Sequence, residues 1–230
     1  MNGSAQRPGN RYFVGITGAS GHAYAPVLIR ALVGAGHEVD LSITDAGVKV
    51  LRHEQGVEAG EHGERLGAAL PAWLGPAVAA HVRVFPASAI EAPPSSGTAL
   101  TGGAIVVPCS MGTLARIAAG FSSNLVERAA DVALKERRPL VLVPRETPLS
   151  QIHLENMLRL ARMGAAIVPA SPGFYHHPRS VDDLVEHVVG KVLDLLRIEH
   201  SLGARWKGLS RPAEDSGTGA PPPRDPSSEA

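Results

Sequence analysis

The chain has one cysteine, no excess of either charge and no long apolar run, and each shortage narrows what it can be. A single thiol, Cys109, excludes an intramolecular disulfide and a thiolate metal cage, and it fits a reducing compartment. Lys and Arg total 22 against 22 Asp and Glu, so the broad positive field of a nucleic-acid binder or a polybasic membrane protein is missing. A local site for a small anion stays open. No segment approaches the roughly 20 apolar residues of a membrane span, and Met1 to Asn10 is polar with no stretch of signal-peptide character. The expectation is a soluble, cytoplasmic chain. The ten histidines, His176-His177 among them, show no metal-ligand spacing, so no metal is expected.

What is present is an alternation of apolar runs and helical patterns. With 230 residues, 44% of them hydrophobic, the chain is long enough for one sizeable core and short for two. A strand over 11–17 runs into Gly18-Ala19-Ser20-Gly21, followed by a helix over 25–35 that Gly36 stops. Val39 to Thr44 is a second strand and Ala46 to His53 begins a second helix. This β-α-β opening points to an α/β fold with a parallel sheet and helices on its faces. From Gln55 to Gly103 the pattern is poor, and 92–97 is loop chemistry. Clear strands return at 103–108, 139–143 and 165–168, with helices over 114–119, 125–137, 150–162 and 181–196. The helix over 150–162 is expected to turn Ile152, Leu154, Met157, Leu158 and Ala161 mostly inward. From Arg211 onward the composition cannot bury enough apolar surface to fold, which leaves one domain over 11–210 between disordered ends, 1–10 and 211–230.

Three stretches could carry chemistry. Gly18-Ala19-Ser20-Gly21 joins a strand to a helix, where free backbone N–H groups and the helix dipole suit an anion; the plain alternative is a turn capped by Ser20. Ser110-Met111-Gly112-Thr113 repeats the arrangement at a second strand end, so the two turns could grip one mononucleotide; alternatively Ser110 is simply an N-cap. Cys109 beside it reads as a buried small hydrophobe, since no His or Asp marks it as activated. The third stretch, Val141 to Leu149, drives an apolar strand straight into Arg145 and Glu146 between two prolines. In a parallel α/β sheet ligands bind beyond the carboxyl ends of strands, so this pair is either the floor of a site or an ion pair on a turn. Lys135, Arg137, Arg138 and Lys191 are further cations suited to a phosphate, although such charges commonly form solvated faces. Thr17 to Gly21 also looks like the opening of a short-chain dehydrogenase. There, however, a Tyr followed four residues on by Lys is required, and Tyr175 is followed by Arg179.

Taken in order, Gly15-Ile16-Thr17-Gly18-Ala19-Ser20-Gly21, Val107-Pro108-Cys109-Ser110-Met111-Gly112-Thr113-Leu114-Ala115, and Arg128 to Arg138 form a linked series. Val143-Pro144-Arg145-Glu146-Thr147-Pro148-Leu149 and Ile152-His153-Leu154-Glu155-Asn156-Met157-Leu158 complete it. The series, from about Tyr12 to Trp206, closely resembles the UbiX family of flavin prenyltransferases. The resemblance implies a Rossmann-like three-layer fold with a mostly parallel central sheet, and a metal-free enzyme. Such an enzyme joins a dimethylallyl group from dimethylallyl phosphate to N5 and C6 of reduced FMN. The prenylated FMN would serve a UbiD-type decarboxylase, as in ubiquinone biosynthesis, and a dodecamer with sites at subunit interfaces is implied.

Carried over residue by residue, the resemblance implies that Gly18, Ala19, Ser20, Thr44, Ser110, Met111, Gly112, Thr113 and Arg145 hold the flavin. Tyr175 and Lys191 would hold the prenyl phosphate, and Glu146 would exchange a proton with it. Ser20, Glu54, Arg128, Lys135 and Trp206 fall at further active-site positions. The chain departs from the family at His22 and Pro26, which could alter the pocket, and at Ser122-Ser123, where no consequence is expected. A flavin-dependent cysteine decarboxylase of similar fold, for which His22 is a foothold, and a non-catalytic FMN carrier are the rival readings.

Overall fold

The computed structural model describes residues 11–99 and 101–203. Six strands form one sheet: β1 (Arg11–Ile16), β2 (Glu38–Ile43), β3 (Val82–Pro86), β4 (Gly103–Cys109), β5 (Leu140–Pro144) and β6 (Ala166–Ile167). All pair in parallel in the order β3-β2-β1-β4-β5-β6. The helices are α1 (Tyr24–Gly34), α2 (Asp45–Gln55), α3 (Leu66–Leu74), α4 (Pro76–Ala79), α5 (Met111–Ala118), α6 (Leu125–Lys135), α7 (Gln151–Arg162) and α8 (Val181–Leu195).

The layering follows from the two-residue period of the strands. Val14, Ile16, Ile105, Val107, Val141 and Val143 pack with α1, α3 and α8 on one face. Their neighbours Phe13, Ala104, Val106, Leu140 and Leu142 pack with α5 and α6 on the other. Gly15 makes the second layer possible, because a Cβ there would stand 2.6 Å from Val126 Cγ1, and α6 could not lie so close to β1. The sheet is thus covered on both sides, and its central strands are buried except for Arg11 at the start of β1.

Two expectations change. The patternless stretch after Gln55 contains α3, α4 and the edge strand β3, besides a single 3-10 turn at Pro93–Ser95. On α7 only Leu160 is buried, whereas Ile152, Leu154 and Leu158 are 66%, 52% and 50% exposed. The apolar stripe is real, but it faces away from the chain's own sheet. Trp206, the end of the domain at 210 and both termini lie outside the described residues.

Candidate functional site

The strand order reverses between β1 and β4, and in such sheets the crevice beyond the strand ends at that point receives the ligand. Thr17, wholly buried, ties its two walls together: its Oγ1 donates to the Pro108 carbonyl at 2.8 Å and accepts from Ser110 N–H at 2.8 Å. Above it opens a cavity of about 400 Å³ whose lining includes Gly18, Thr44, Ser110, Thr113, Arg116 and Asn124. Gly18 is required there, since a Cβ would come 2.6 Å from that of Ala46.

Three helices start at this cavity. Thr44 caps α2 by accepting from Gly47 N–H, Ser110 caps α5 by accepting from Thr113 N–H, and Asn124 caps α6 by accepting from Glu127 N–H. Their dipoles add positive potential at one place, and the hydroxyls of Ser110 and Thr113 lie within it. Arg116, from α5, brings a full charge. It is oriented by the wholly buried Glu127, which also accepts from Ser123 N–H at 2.8 Å and Ser123 Oγ at 2.7 Å. Burial alone would raise the Glu127 carboxyl, but the donors from Arg116 and Ser123 outweigh it and hold the pKa below the usual range. Ser123, expected to be without consequence, is therefore part of the support of the site. Arg116 and Glu127 escaped the sequence reading, because eleven residues separate them and only the packing of α5 on α6 joins them.

The first glycine turn differs from its expected form. Ser20 does not cap α1; the N-cap is Ala23, with no side-chain bond. Two of the turn's N–H groups are already taken, as Glu54 at the end of α2 accepts from Gly21 N–H at 3.0 Å and His22 N–H at 2.8 Å. Burial opposes the charge of Glu54, yet hydrogen bonds from Ser20, His22 and Gly21 prevail and lower its pKa. His22 does not face the cavity. It is fully buried beneath the turn, with Nε2 3.1 Å from the Thr17 carbonyl, and burial lowers its pKa.

Arg145 and Glu146 follow directly on β5. Arg145 Nε donates to the Ser20 carbonyl at 3.3 Å, so the end of β5 is joined to the first turn. Both residues line a smaller cleft of about 100 Å³ with Leu149, Met157 and Ser171. The pair is not a mutual ion pair: Glu146 accepts from Thr147 N–H at 3.1 Å. Tyr175 and Lys191 meet a common neighbour, His187, Tyr175 through a ring contact and Lys191 through its charge. Arg128 pairs with Asp131 at 2.9 Å. Lys135 stands apart, at the end of α6 beside Gly97 and paired with Glu136. Cys109 is enclosed, and burial pushes its thiol up to about 12, which removes it as a nucleophile.

A flavoprotein family model matches residues 2–193. A flavin prenyltransferase UbiX from Halalkalibacterium halodurans is 49% identical over 85% of this chain and 92% of its own length. The chain belongs to the UbiX-type flavin prenyltransferases. Two solved structures of UbiX-type proteins agree with the fold. One, AnUbiX (PadA1) in complex with FMN and dimethylallyl pyrophosphate, is 40% identical with a TM-score of 0.75 and covers 86% of this chain and 97% of that one. The other, a dodecameric FMN-dependent UbiX-like decarboxylase from Escherichia coli O157:H7, is 44% identical with a TM-score of 0.75 over 86% and 100%.

Proposed function

We propose that this chain transfers a dimethylallyl group from dimethylallyl phosphate to N5 and C6 of reduced FMN, giving prenylated FMN for a UbiD-type decarboxylase. The observation that carries this is the crevice at the strand-order reversal, where three helix N-termini, two hydroxyls and Arg116 converge on one cavity. That donor set fits the phosphate end of FMN. The turn at Gly18, Ala19 and Ser20, the stretch from Ser110 to Thr113, Thr44 and Arg145 would hold the cofactor. When bound, reduced FMN supplies the nucleophile.

The chain's own task is to bring the allylic phosphate to that nucleophile and to stabilise the departing charge, which is commonly the largest protein contribution. Arg145 reaches the first turn while Glu146 beside it opens into the adjoining cleft, so one strand end carries both the cation and the proton carrier. Tyr175 and Lys191 hold the phosphate in this reading. Lys135 lies at the far end of α6, about 16 Å along that helix from the N-terminus at the cavity. In a dodecamer with sites at subunit interfaces Lys135 and Arg128 would serve a neighbouring subunit's site, and the exposed apolar face of α7 would be covered.

The cysteine decarboxylase reading loses its foothold, because an acid–base histidine has to reach substrate and His22 is sealed beneath the turn. The carrier reading leaves Glu146 in its cleft without a task. An anaerobic assay with reduced FMN and dimethylallyl phosphate, followed by absorbance and mass, tests the proposal. A flavin that gains the mass of one dimethylallyl group is the expected result, and a flavin of unchanged mass refutes it.

A further inference from the structure

The loop over 171–180 and the face of α8 beneath it form a ring cluster. The loop is pinned at its end by a reciprocal cap: Ser180 Oγ accepts from Asp183 N–H at 3.1 Å, and Asp183 accepts from Ser180 N–H at 3.1 Å and Arg179 N–H at 2.6 Å. Val185, Val188, Val189, Val192 and Leu193 turn α8 toward the core. His187 and Lys191, one turn apart, share another side of it.

Over His187 lie two rings of the loop. His176 stacks on it with centroids 4.9 Å apart and planes at 5°, and Tyr175 meets it edge-on at 5.6 Å and 79°. Gly173 permits the closure, as a Cβ there would stand 2.8 Å from Tyr175 Cε1 and 3.3 Å from His187 Nε2. The ring nitrogens of His176 are enclosed and have no hydrogen-bond partner among the described residues.

We infer that His187 is a third ligand of the allylic substrate's phosphate, set between Tyr175 and Lys191, and that it takes up a proton as the anion binds. The inference rests on the reading of Tyr175 and Lys191 as phosphate-holding groups. Lys191 Nζ is 3.9 Å from Asp194, too long for a tight pair. A phosphate monoester brings about two negative charges and three strong acceptors, which match an ammonium, a phenol and an imidazolium.

The charges around His187 set the direction of the proton. Burial, then His176, then Lys191 lower its pKa, so the ring is neutral before the anion arrives. Asp183 acts on His176 from the start of α8, Asp194 is shared by Lys191 and His200, and Gly203 of the following segment presents only backbone to His187. A bound dianion reverses the balance and raises the ring's pKa. Between the two values, binding draws a proton from solution and strengthens as pH falls, until the phosphate itself is protonated near about pH 6.

Titration calorimetry on the FMN-loaded protein tests this, with methyl phosphate and with dimethylallyl phosphate, both monoesters that are largely dianions near about pH 7, in two buffers of different ionisation enthalpy at that pH. The wild type is expected to take up a fraction of a proton with either ligand. His187→Gln, which keeps a neutral donor but cannot take up a proton, should lose most of that uptake and bind both several-fold more weakly. His187→Leu, which has no donor, should take up no proton either and bind both ligands more weakly still, a graded loss of affinity with a shared loss of uptake that a packing role would not produce. Unchanged affinity and uptake in His187→Gln overturn the inference, as does a wild type that binds neither ligand. Proton-linked phosphate binding lost in His187→Gln, with no mass gain on the flavin in the wild type, would keep the phosphate site and refute the prenyl transfer.

Discussion

Glu54→Gln should loosen the first glycine turn without disturbing the sheet. The native carboxylate accepts two backbone N–H groups, at 3.0 Å from Gly21 and 2.8 Å from His22, and also a hydrogen bond from Ser20. Glutamine has nearly the same size, but it lacks the charge, and with its oxygen in the place of Oε2, which accepts from both N–H groups, its NH2 replaces the acceptor Oε1 that lies 3.3 Å from Gly21 N. A hydrogen bond to a charged acceptor contributes about 1.5–3 kcal/mol when shielded; Glu54 is only half-buried, so about 2 kcal/mol for the pair is a fair total. In a chain of this length that lowers Tm by roughly 4–8 °C. The pH dependence supplies a control with a fixed sign. Because the folded carboxyl titrates below its unfolded value of about 4.3, its contribution is present above that pH and disappears as pH falls through the folded pKa. Thermal unfolding of the flavin-free proteins should therefore show a gap between wild type and variant at neutral pH that closes on acidification. Flavin fluorescence quenching should show weaker FMN binding in the variant. Equal midpoints at neutral pH and equal FMN affinity would refute the idea that Glu54 holds the turn.

Glu146→Gln should retain FMN but slow the formation of prenylated flavin by about a hundredfold or more, the range of a lost proton carrier; mass analysis of the flavin at wild-type rate would remove Glu146 from the reaction. Cys109, enclosed and with its thiol pushed up to about 12, should resist thiol reagents in the native protein and react only after denaturant is added. Rapid labelling of the native protein would contradict that burial. Leu158→Glu places a charge on the exposed apolar face of α7 and should shift the light-scattering mass to smaller species while the circular dichroism of the helices persists. An unchanged large mass would show that this face lies outside the interface.

The sequence by itself determined the α/β class, the two turns that follow β1 and β4, the single inert cysteine and the membership of the family. Each of these is written in residues adjacent in the chain: a two-residue period makes a strand, a glycine after it a turn, a hydroxyl before a helix a cap. The edge strand β3 was not legible, because among the described residues it pairs only with β2 and none of its residues is buried. The stripe on α7 was visible as spacing, yet the same spacing serves a helix packed on its own sheet and one presented to another surface. Only the tertiary structure decided the rest. Thr17 meets Pro108 and Ser110 across more than ninety residues, Glu127 aims Arg116 from the next helix, and Glu54 fills the turn that looked open to an anion. These contacts arise from the parallel crossovers of the sheet, which bring strand ends far apart in sequence to one edge.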